Sequence, residues 1–483
     1  MRSGIICSLV TADAIIRDGL MTKHTESPNR LGKDRDWLVY QAGGLHIEDV
    51  CLSAVARAVP TPFYCYSADA IRSAYKYLAS AVNPIGVSIC FAVKANSNIA
   101  VLGLLAELGC GMDIVSGGEL ERALAAGVPA SKIIFSGVGK TRAEIARAVE
   151  VGIHQINVES AAEITAVAEV ARGLGQRAPI TLRVNPDVDA KTHAKITTAT
   201  KDSKFGIPIG DVADLYAEAA AMPELEVLGV AVHIGSQIHD MSPFRRAFSA
   251  MADLVVFMRG RGLVVPRLDL GGGIGIASND TPGPDIAEYA AIIAETVGHL
   301  GCQLTVEPGR WLVGRAGLLV TEVLYLKEMQ SGPMAILDVG MNDLMRPALY
   351  DAQHPVLTLH EPRTDRAAPH YSLVGPICES SDQFGTYDRL GEMRAGDLLA
   401  FDCAGAYGAS MASTYNSRDL VAEVLVEGSR FRTIRRRQDI SEMLRLEQAG
   451  RWQFPVPEGQ EATRSAQPVS DGALRTPVTI GTS

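Results

Sequence analysis

The sequence predicts an α/β chain: a (β/α)8 barrel followed by a second, mainly antiparallel β domain. Two observations carry this. Between residues 88 and 310, short β-branched or apolar runs alternate with alanine-rich stretches of helical period. After residue 311, strand-like runs follow one another with turn-rich segments and no regular helices between them. The 483 residues leave room for both, since one α/β barrel takes about 250 residues.

The barrel runs are SICFAVKAN (88–96), GMDIVSG (111–117), KIIFSG (132–137) and HQINVES (154–160), then PITLRVNP (179–186), EVLGVAVHIG (226–235), RLDLGGG (267–273) and QLTVEPG (303–309). Eight strands is the count that closes a barrel, with an open doubly wound sheet as the competing arrangement. Helices are expected at Glu119–Ala126 and Arg142–Val151. In the second domain the strand runs are 318–326, 334–340, 371–377 and 397–402. The segment LVYQAGGLHIEDV reads as a strand pair around Gly43 and Gly44 and is expected to join that second sheet. The expected division is therefore a poorly ordered leader (1–34), strands joining the β domain (35–69), the barrel (70–310), the β domain (311–449) and a disordered tail rich in Pro, Gly, Ser and Gln (450–483).

Composition narrows the function classes. A formal net charge of −10 argues against nucleic acid or an anionic membrane as partner. No apolar run reaches the roughly 20 residues of a membrane helix. The eight cysteines (7, 51, 65, 90, 110, 302, 378 and 403) are scattered, without CxxC pairs or zinc spacing, so no metal is expected and the thiols read as reduced and cytoplasmic. The apolar run of MRSGIICSLVTADA is broken at Asp13, which argues against a secretion signal.

A parallel barrel carries its active site at the carboxyl ends of its strands. Here those ends hold Lys94, Asp113, Ser136, Asn157 with Glu159, Arg183 with Asn185, His233 with Ser236, Gly271, Gly272 and Gly273, and Glu307 with Arg310. Each alone has a plainer reading: a strand-end lysine is commonly a solvated charge, and GGGIG is a weak dinucleotide fingerprint with its sixth position wrong. Together they point further. A lysine in a cleft can serve as a Schiff-base amine, and a glycine triplet after a late barrel strand suits a phosphate held by backbone N–H groups. Lysine and phosphate cradle in one barrel mouth indicate pyridoxal 5'-phosphate.

The motifs FAVKANSN, DIVSGGEL, FSGVGKT, RVNPDVDAKTHAKI, KFGIP, HIGSQI, DLGGGIGI, EPGR, MNDLMRPALYDAQHP, GPICESSD and AGAYGASM, in order from about residue 36 to about 446, resemble the diaminopimelate decarboxylase family, within the alanine-racemase-like pyridoxal-phosphate enzymes. The resemblance implies decarboxylation of meso-2,6-diaminopimelate at its D-centre to L-lysine and CO2, the last step of lysine biosynthesis. It implies Lys94 as the Schiff-base lysine, His233 stacked on the cofactor ring, and Ser236 with Gly271 to Gly273 on the phosphate, supported by Pro308, Gly309 and Arg310. Asp113 and Glu119 match acidic positions near the lysine. Glu307 would face the ring nitrogen and favour its protonated form, which deepens the electron sink that decarboxylation needs; related racemases place an arginine there. Arg310 and Arg346 would clamp the substrate's distal carboxylate, Glu379 its amine, with Tyr350 and Tyr407 as hydroxyl contacts and Tyr407 also reaching the cofactor. Cys378 would return the proton, entering from the neighbouring subunit of a homodimer with shared sites. Ser381 stands where family members more often have glycine. A decarboxylase of another basic amino acid (ornithine, arginine or lysine) on this fold, or an inactive pyridoxal-phosphate-binding regulatory protein, are the alternatives.

Overall fold

A computed structural model describes residues 35–189, 203–278, 281–362, 369–447 and 450, and the backbone of 29–30. The expectations for the leader and for the tail beyond 450 lie outside these residues.

Eight parallel strands form the barrel: Val87–Ala92 (β1), Gly111–Ile114 (β2), Ile133–Phe135 (β3), Gln155–Val158 (β4), Ala178–Asn185 (β5), Leu225–Val232 (β6), Arg267–Asp269 (β7) and Gln303–Val306 (β8). Each pairs with the next, and β8 returns to β1 through the register Leu304 to Val87, so the sheet is closed and the open alternative is excluded. The strands sit where the apolar runs place them because both of their faces are covered. All four residues of β2 are buried, as are those of β4.

Local sequence starts and stops the outer helices. Ser116, Thr141 and Ser160 each accept the backbone N–H of a glutamate three residues on, opening Gly117–Ala125, Arg142–Val151 and Ala161–Leu174. Gly152 and Gly175 close the latter two at left-handed φ values of 71° and 63°.

The second sheet contains Gly317–Met329 (β9), Gly332–Leu337 (β10), Val356–Thr358 (β11), Tyr371–Val374 (β12), Gln383–Tyr387 (β13), Leu398–Phe401 (β14), Ala422–Glu427 (β15) and Arg430–Arg435 (β16), together with Phe63–Ser67. Most pairs are antiparallel, whereas β10 with β12 and Phe63–Ser67 with β15 run parallel. The strand Phe63–Ser67 pairs with β9 and β15.

The hairpin Leu38–Gln41 and Gly44–Ile47 builds a small sheet of its own with Asn29–Arg30 and Val50–Cys51, and meets the second sheet just past β11 through the Gly44–His360 bridge and the Leu45 N–H to Leu359 carbonyl bond of 2.8 Å. Its apolar face decides how it lies. Leu38, Tyr40, Leu45 and Ile47 pack onto Phe63, Cys65, Leu318 and Val424, so the hairpin lies over the larger sheet as a layer. A second compact unit begins at Asp439 and contains the helix Ile440–Leu446, opened by a capping box between Asp439 and Glu442.

The closure of the barrel depends on one tight apposition outside the site. A Cβ at Gly229 of β6 would overlap the backbone carbonyl of Arg267 at the start of β7. Gly229→Ala should therefore lower stability by about 1–3 kcal/mol, the cost of overpacking a close contact. Denaturant unfolding measures this, and an unchanged midpoint would show that the two strands have room to part.

Candidate active site

Lys94 stands in the tight turn Val93–Ala95 that leaves β1. The turn is fixed from the second sheet's side. The Tyr407 N–H donates to the Ala95 carbonyl at 2.8 Å, Asn96 Nδ2 to the Gly405 carbonyl at 3.2 Å, and Ser410 Oγ to the Lys94 carbonyl at 3.0 Å. Asn98 Nδ2 reaches the buried Glu423 carboxylate at 2.9 Å. Lys94 Nζ in turn donates to Asp113 Oδ2 at 3.1 Å, and Asp113 is fully buried at the end of β2. Burial alone would push the ammonium down; the Asp113 carboxylate, with Tyr407 and Glu307 behind it, outweighs that and holds it above its ordinary value. Glu119 turns back to its own helix start, where it accepts the Val115 N–H at 2.8 Å, and burial raises its carboxyl to about 7.

Carboxyl groups also form the floor. Glu307, next after β8, is buried, and its Oε1 has no hydrogen-bond partner. Asp269, at the end of β7, accepts from Gly271 N–H at 2.9 Å and from Asn157 Nδ2 at 3.3 Å. Burial, then Asp113 and Asp269, raise Glu307 well above the carboxylate range, and burial raises Asp269 to about 6. His233, at the end of β6, accepts the Gly272 N–H on Nδ1 at 3.2 Å; burial first, then Lys94 and Arg183, keep the ring neutral.

The glycine triplet has a steric reason of its own. A Cβ at Gly271 would overlap the Val232 carbonyl, one at Gly272 the Glu307 carbonyl, and one at Gly273 would stand 2.6 Å from the Gly235 carbonyl. Gly271 and Gly273 also hold positive φ, 67° and 115°. Gly309 packs its Cα face against Ala92 and Ala95, beneath the lysine turn.

Opposite the carboxyl groups stand two cations. Arg310 lies with its guanidinium carbon 4.7 Å from the Tyr407 ring centre and donates to Ser236 Oγ at 3.4 Å. Arg346 Nη1 donates to His354 Nε2 at 2.9 Å, while His354 Nδ1–H donates to the Asp402 carbonyl at 2.9 Å. Both arginines are largely desolvated and each leaves a buried Nε without a hydrogen-bond partner. Burial, then Arg310, lower Arg346 to about 9. Tyr350, in the short helix that Arg346 opens, is close enough to act on both guanidinium groups. Tyr407 holds φ +56°, a left-handed conformation that a bulky residue adopts under constraint.

A cavity of about 390 Å3 opens above the floor, lined by Lys94, Ser136, Arg183, Phe205, His233 and Glu307 among others. Arg183 stacks 4.8 Å over Phe205 and pairs with Glu159 at 2.7 Å. The structure thus brings Lys94, Asp113, His233 and Glu307 together in one chain, with Ser236, Arg310, Arg346 and Tyr407 beside them. Cys378 and Glu379 do not line the cavity; they lie exposed on the loop between β12 and β13. Sequence reasoning missed Asp269 and His354. The signals available were DLGGG, in which the aspartate precedes the triplet, and the QHP that ends the Arg346 motif.

Residues 68–314 match the family described as the pyridoxal-dependent decarboxylase, pyridoxal binding domain. The diaminopimelate decarboxylase of Pseudomonas fluorescens is 49% identical over 405 residues, 84% of this chain and 97% of its own length. The chain belongs to the diaminopimelate decarboxylase family. The Vibrio cholerae member is 45% identical over 414 residues, 85% of this chain and 99% of its own. A solved Helicobacter pylori diaminopimelate decarboxylase complexed with L-lysine has a TM-score of 0.78 at 38% identity, covering 82% of this chain and 99% of that one. A solved diaminopimelate decarboxylase from m. jannaschii, in co-complex with L-lysine, has a TM-score of 0.81 at 35% identity, covering 86% of this chain and 98% of that one.

The family's pyridoxal phosphate fits these residues. A lysine amine at the cavity mouth, a neutral buried imidazole, an orphaned Glu307 oxygen and an orphaned Arg310 Nε are the partners that an aldehyde, an aromatic ring, a pyridine nitrogen and a phosphate would take.

His354 makes the anion side pH-sensitive in a defined direction. Its pKa is lowered to about 3, by burial first and then by Arg346. As pH falls from about 6.5 towards 3, the unfolded chain takes up a proton that the folded one refuses, so stability must fall across that window. His354→Gln should show a shallower decline there, whatever its stability at neutral pH, in unfolding midpoints measured against pH.

Proposed function

We propose that this chain decarboxylates meso-2,6-diaminopimelate at its D-configured carbon, releasing CO2 and L-lysine in the last step of lysine biosynthesis. The observation that carries this reading is the Arg310–Arg346 pair, two largely desolvated cations, each with a buried Nε that has no hydrogen-bond partner and neither in an ion pair among the described residues. Ornithine, arginine and lysine end in a cation, which this pair repels. Diaminopimelate ends in a carboxylate and an ammonium, and a bidentate arginine contact suits the carboxylate. An inactive binding protein would have no use for Lys94, Glu307, Cys378 and Tyr407 together.

Bound pyridoxal phosphate supplies the electron sink for the carbanion left when CO2 departs. The chain's residues do the rest. Lys94 would present its amine to the cofactor's aldehyde, with Asp113 placed to hold the proton on that amine. Glu307 would face the ring nitrogen and favour its protonated form. His233 would lie against the ring as a neutral imidazole. The Ser236 hydroxyl, the Gly273 and Gly309 N–H groups and the Arg310 guanidinium would hold the phosphate end, in loops whose close backbone approach Gly271, Gly272 and Pro308 make possible. Tyr407 contacts cofactor and substrate, Tyr350 and Arg346 the substrate.

Cys378 is the proton donor and Glu379 the ligand of the substrate's distal amine, both reaching the cavity of a neighbouring subunit. Their exposure on a loop away from their own chain's cavity supports a two-fold dimer with shared sites. The cytoplasm is its compartment, in keeping with scattered cysteines that are unpaired among the described residues. Among those residues no helix is long and apolar enough to cross a membrane.

CO2 release from meso-diaminopimelate should exceed that from ornithine, arginine and lysine by orders of magnitude; equal rates on lysine or ornithine would sink the substrate. Arg346→Ala should cost roughly 10- to 100-fold in kcat/KM, the worth of a lost charged contact, while visible absorbance of the bound cofactor persists. For shared sites, Lys94→Ala and Cys378→Ala proteins, each inactive, should recover about a quarter of parental activity when mixed and reassorted, because half the dimers then carry one intact site. No recovery after proven subunit exchange would place donor and lysine on the same chain.

A further inference from the structure

The loop that carries Cys378 and Glu379 is fixed along its backbone. The Asp382 carboxylate accepts the N–H groups of Met341 at 2.6 Å and Ile377 at 2.7 Å. Asn416, itself at φ +55°, accepts the Cys378 N–H on Oδ1 at 2.9 Å. The Glu379 N–H closes a tight turn on the Ile377 carbonyl at 2.7 Å, and its carbonyl accepts the Asp382 N–H at 3.1 Å. With the backbone set this way, the direction of the Glu379 carboxylate is decided by its side-chain torsions.

Two hydroxyls bear on those torsions. Ser381 Oγ donates to Glu379 Oε1 at 2.5 Å, and the Tyr415 hydroxyl lies close enough to act on the same carboxylate and lower it. The Ser381 proton has a second acceptor, Met341 Sδ at 3.5 Å, but a carboxylate at 2.5 Å is much the better one. No lysine or arginine forms an ion pair with Glu379 among the described residues. An exposed glutamate would ordinarily sample many rotamers and lose that freedom on binding. Here it is held ready, by neutral donors that leave its negative charge uncompensated.

We propose that Ser381, with Tyr415 beside it, is a positioning residue for substrate recognition: its hydroxyl holds the Glu379 carboxylate in the orientation that receives the distal ammonium of a diamino-dicarboxylic acid. The inference rests on the assignment of Glu379 to that ammonium made above, and it deepens it. Neither hydroxyl touches the reacting carbon. Their effect belongs to the binding of the distal end, equally in ground state and transition state, so KM should move and kcat should stay.

The test uses the intact holoenzyme with meso-diaminopimelate, and in parallel the calorimetric binding of L-lysine, whose amine and carboxylate reproduce the distal end. Ser381→Ala and Tyr415→Phe should each raise KM and the L-lysine Kd roughly three- to tenfold, the range of one ordinary hydrogen bond, with kcat unchanged. Ser381→Thr, which keeps the hydroxyl, should restore parental KM. In a Glu379→Ala background, Ser381→Ala should add nothing further. If Glu379→Ala raises KM while Ser381→Ala and Tyr415→Phe do not, the positioning role is overturned and the Glu379 assignment stands. If Glu379→Ala itself leaves KM and L-lysine binding unchanged, the assignment falls and the inference with it. A fall in kcat at constant KM for Ser381→Ala would also overturn it, because the hydroxyl would then be serving the placement of Cys378.

Discussion

The hydrogen bond from the Tyr407 amide to the Ala95 carbonyl, 2.8 Å long, is the contact on which the site depends. Lys94 lies on a three-residue turn at a strand end, a place where chains are commonly mobile. Here the second sheet supplies its neighbours: Gly405 and Ser410 bond the turn, and Glu423 anchors the asparagine that follows. Glu423 also accepts the Tyr66 hydroxyl at 2.6 Å and pairs with Arg435 at 3.2 Å, so one buried carboxylate ties the lysine loop to two strands of that sheet. Each bond alone contributes about 1 kcal/mol. Their joint effect is to remove the turn's freedom, which keeps the amine at its 3.1 Å distance from Asp113.

The electrostatic layout follows from that placement. Asp113, Asp269 and Glu307 crowd the floor, and Arg310 and Arg346 stand against the second sheet. Burial first, and like-charged neighbours second, push Glu307 up and Arg346 down. Ligands with a cationic ring nitrogen at one end and anionic groups at the other relieve both strains. Selectivity therefore comes from the separation of the two charge fields and not from the chain's overall negative charge.

Much of this was legible in the sequence. Five of the eight barrel strands fall within their apolar runs and the other three begin one residue earlier, and S/T-x-x-E patterns mark three helix starts, because both signals are local. Lys94, His233, the glycine triplet and Glu307 were legible as strand-end residues. What was not legible depended on contacts distant in sequence. Asp269 matters through Glu307, and His354 through Arg346 and Asp402, partnerships that no spacing announces. The hairpin at 38–47 has the alternation of a strand pair, but whether such a pair extends a sheet or covers it is settled by which face finds apolar company. The glycine triplet was read as a phosphate cradle; the structure adds that neighbouring backbone leaves no room for side chains there. Ser381, visible as a departure from the family pattern, disclosed its bond to Glu379 only in three dimensions.

The passage from barrel to second sheet is short. Glu307 follows β8, Arg310 opens a four-residue helix, and β9 begins at Gly317. At this crossing Gly317 and Gly405 lie backbone to backbone, and a Cβ on Gly405 would overlap the Val313 carbonyl. Glu307 and Arg310 are thus part of the joint between the two halves of the molecule. A hinge here would tear the catalytic groups out of register with Lys94, so the architecture trades large-scale breathing for alignment.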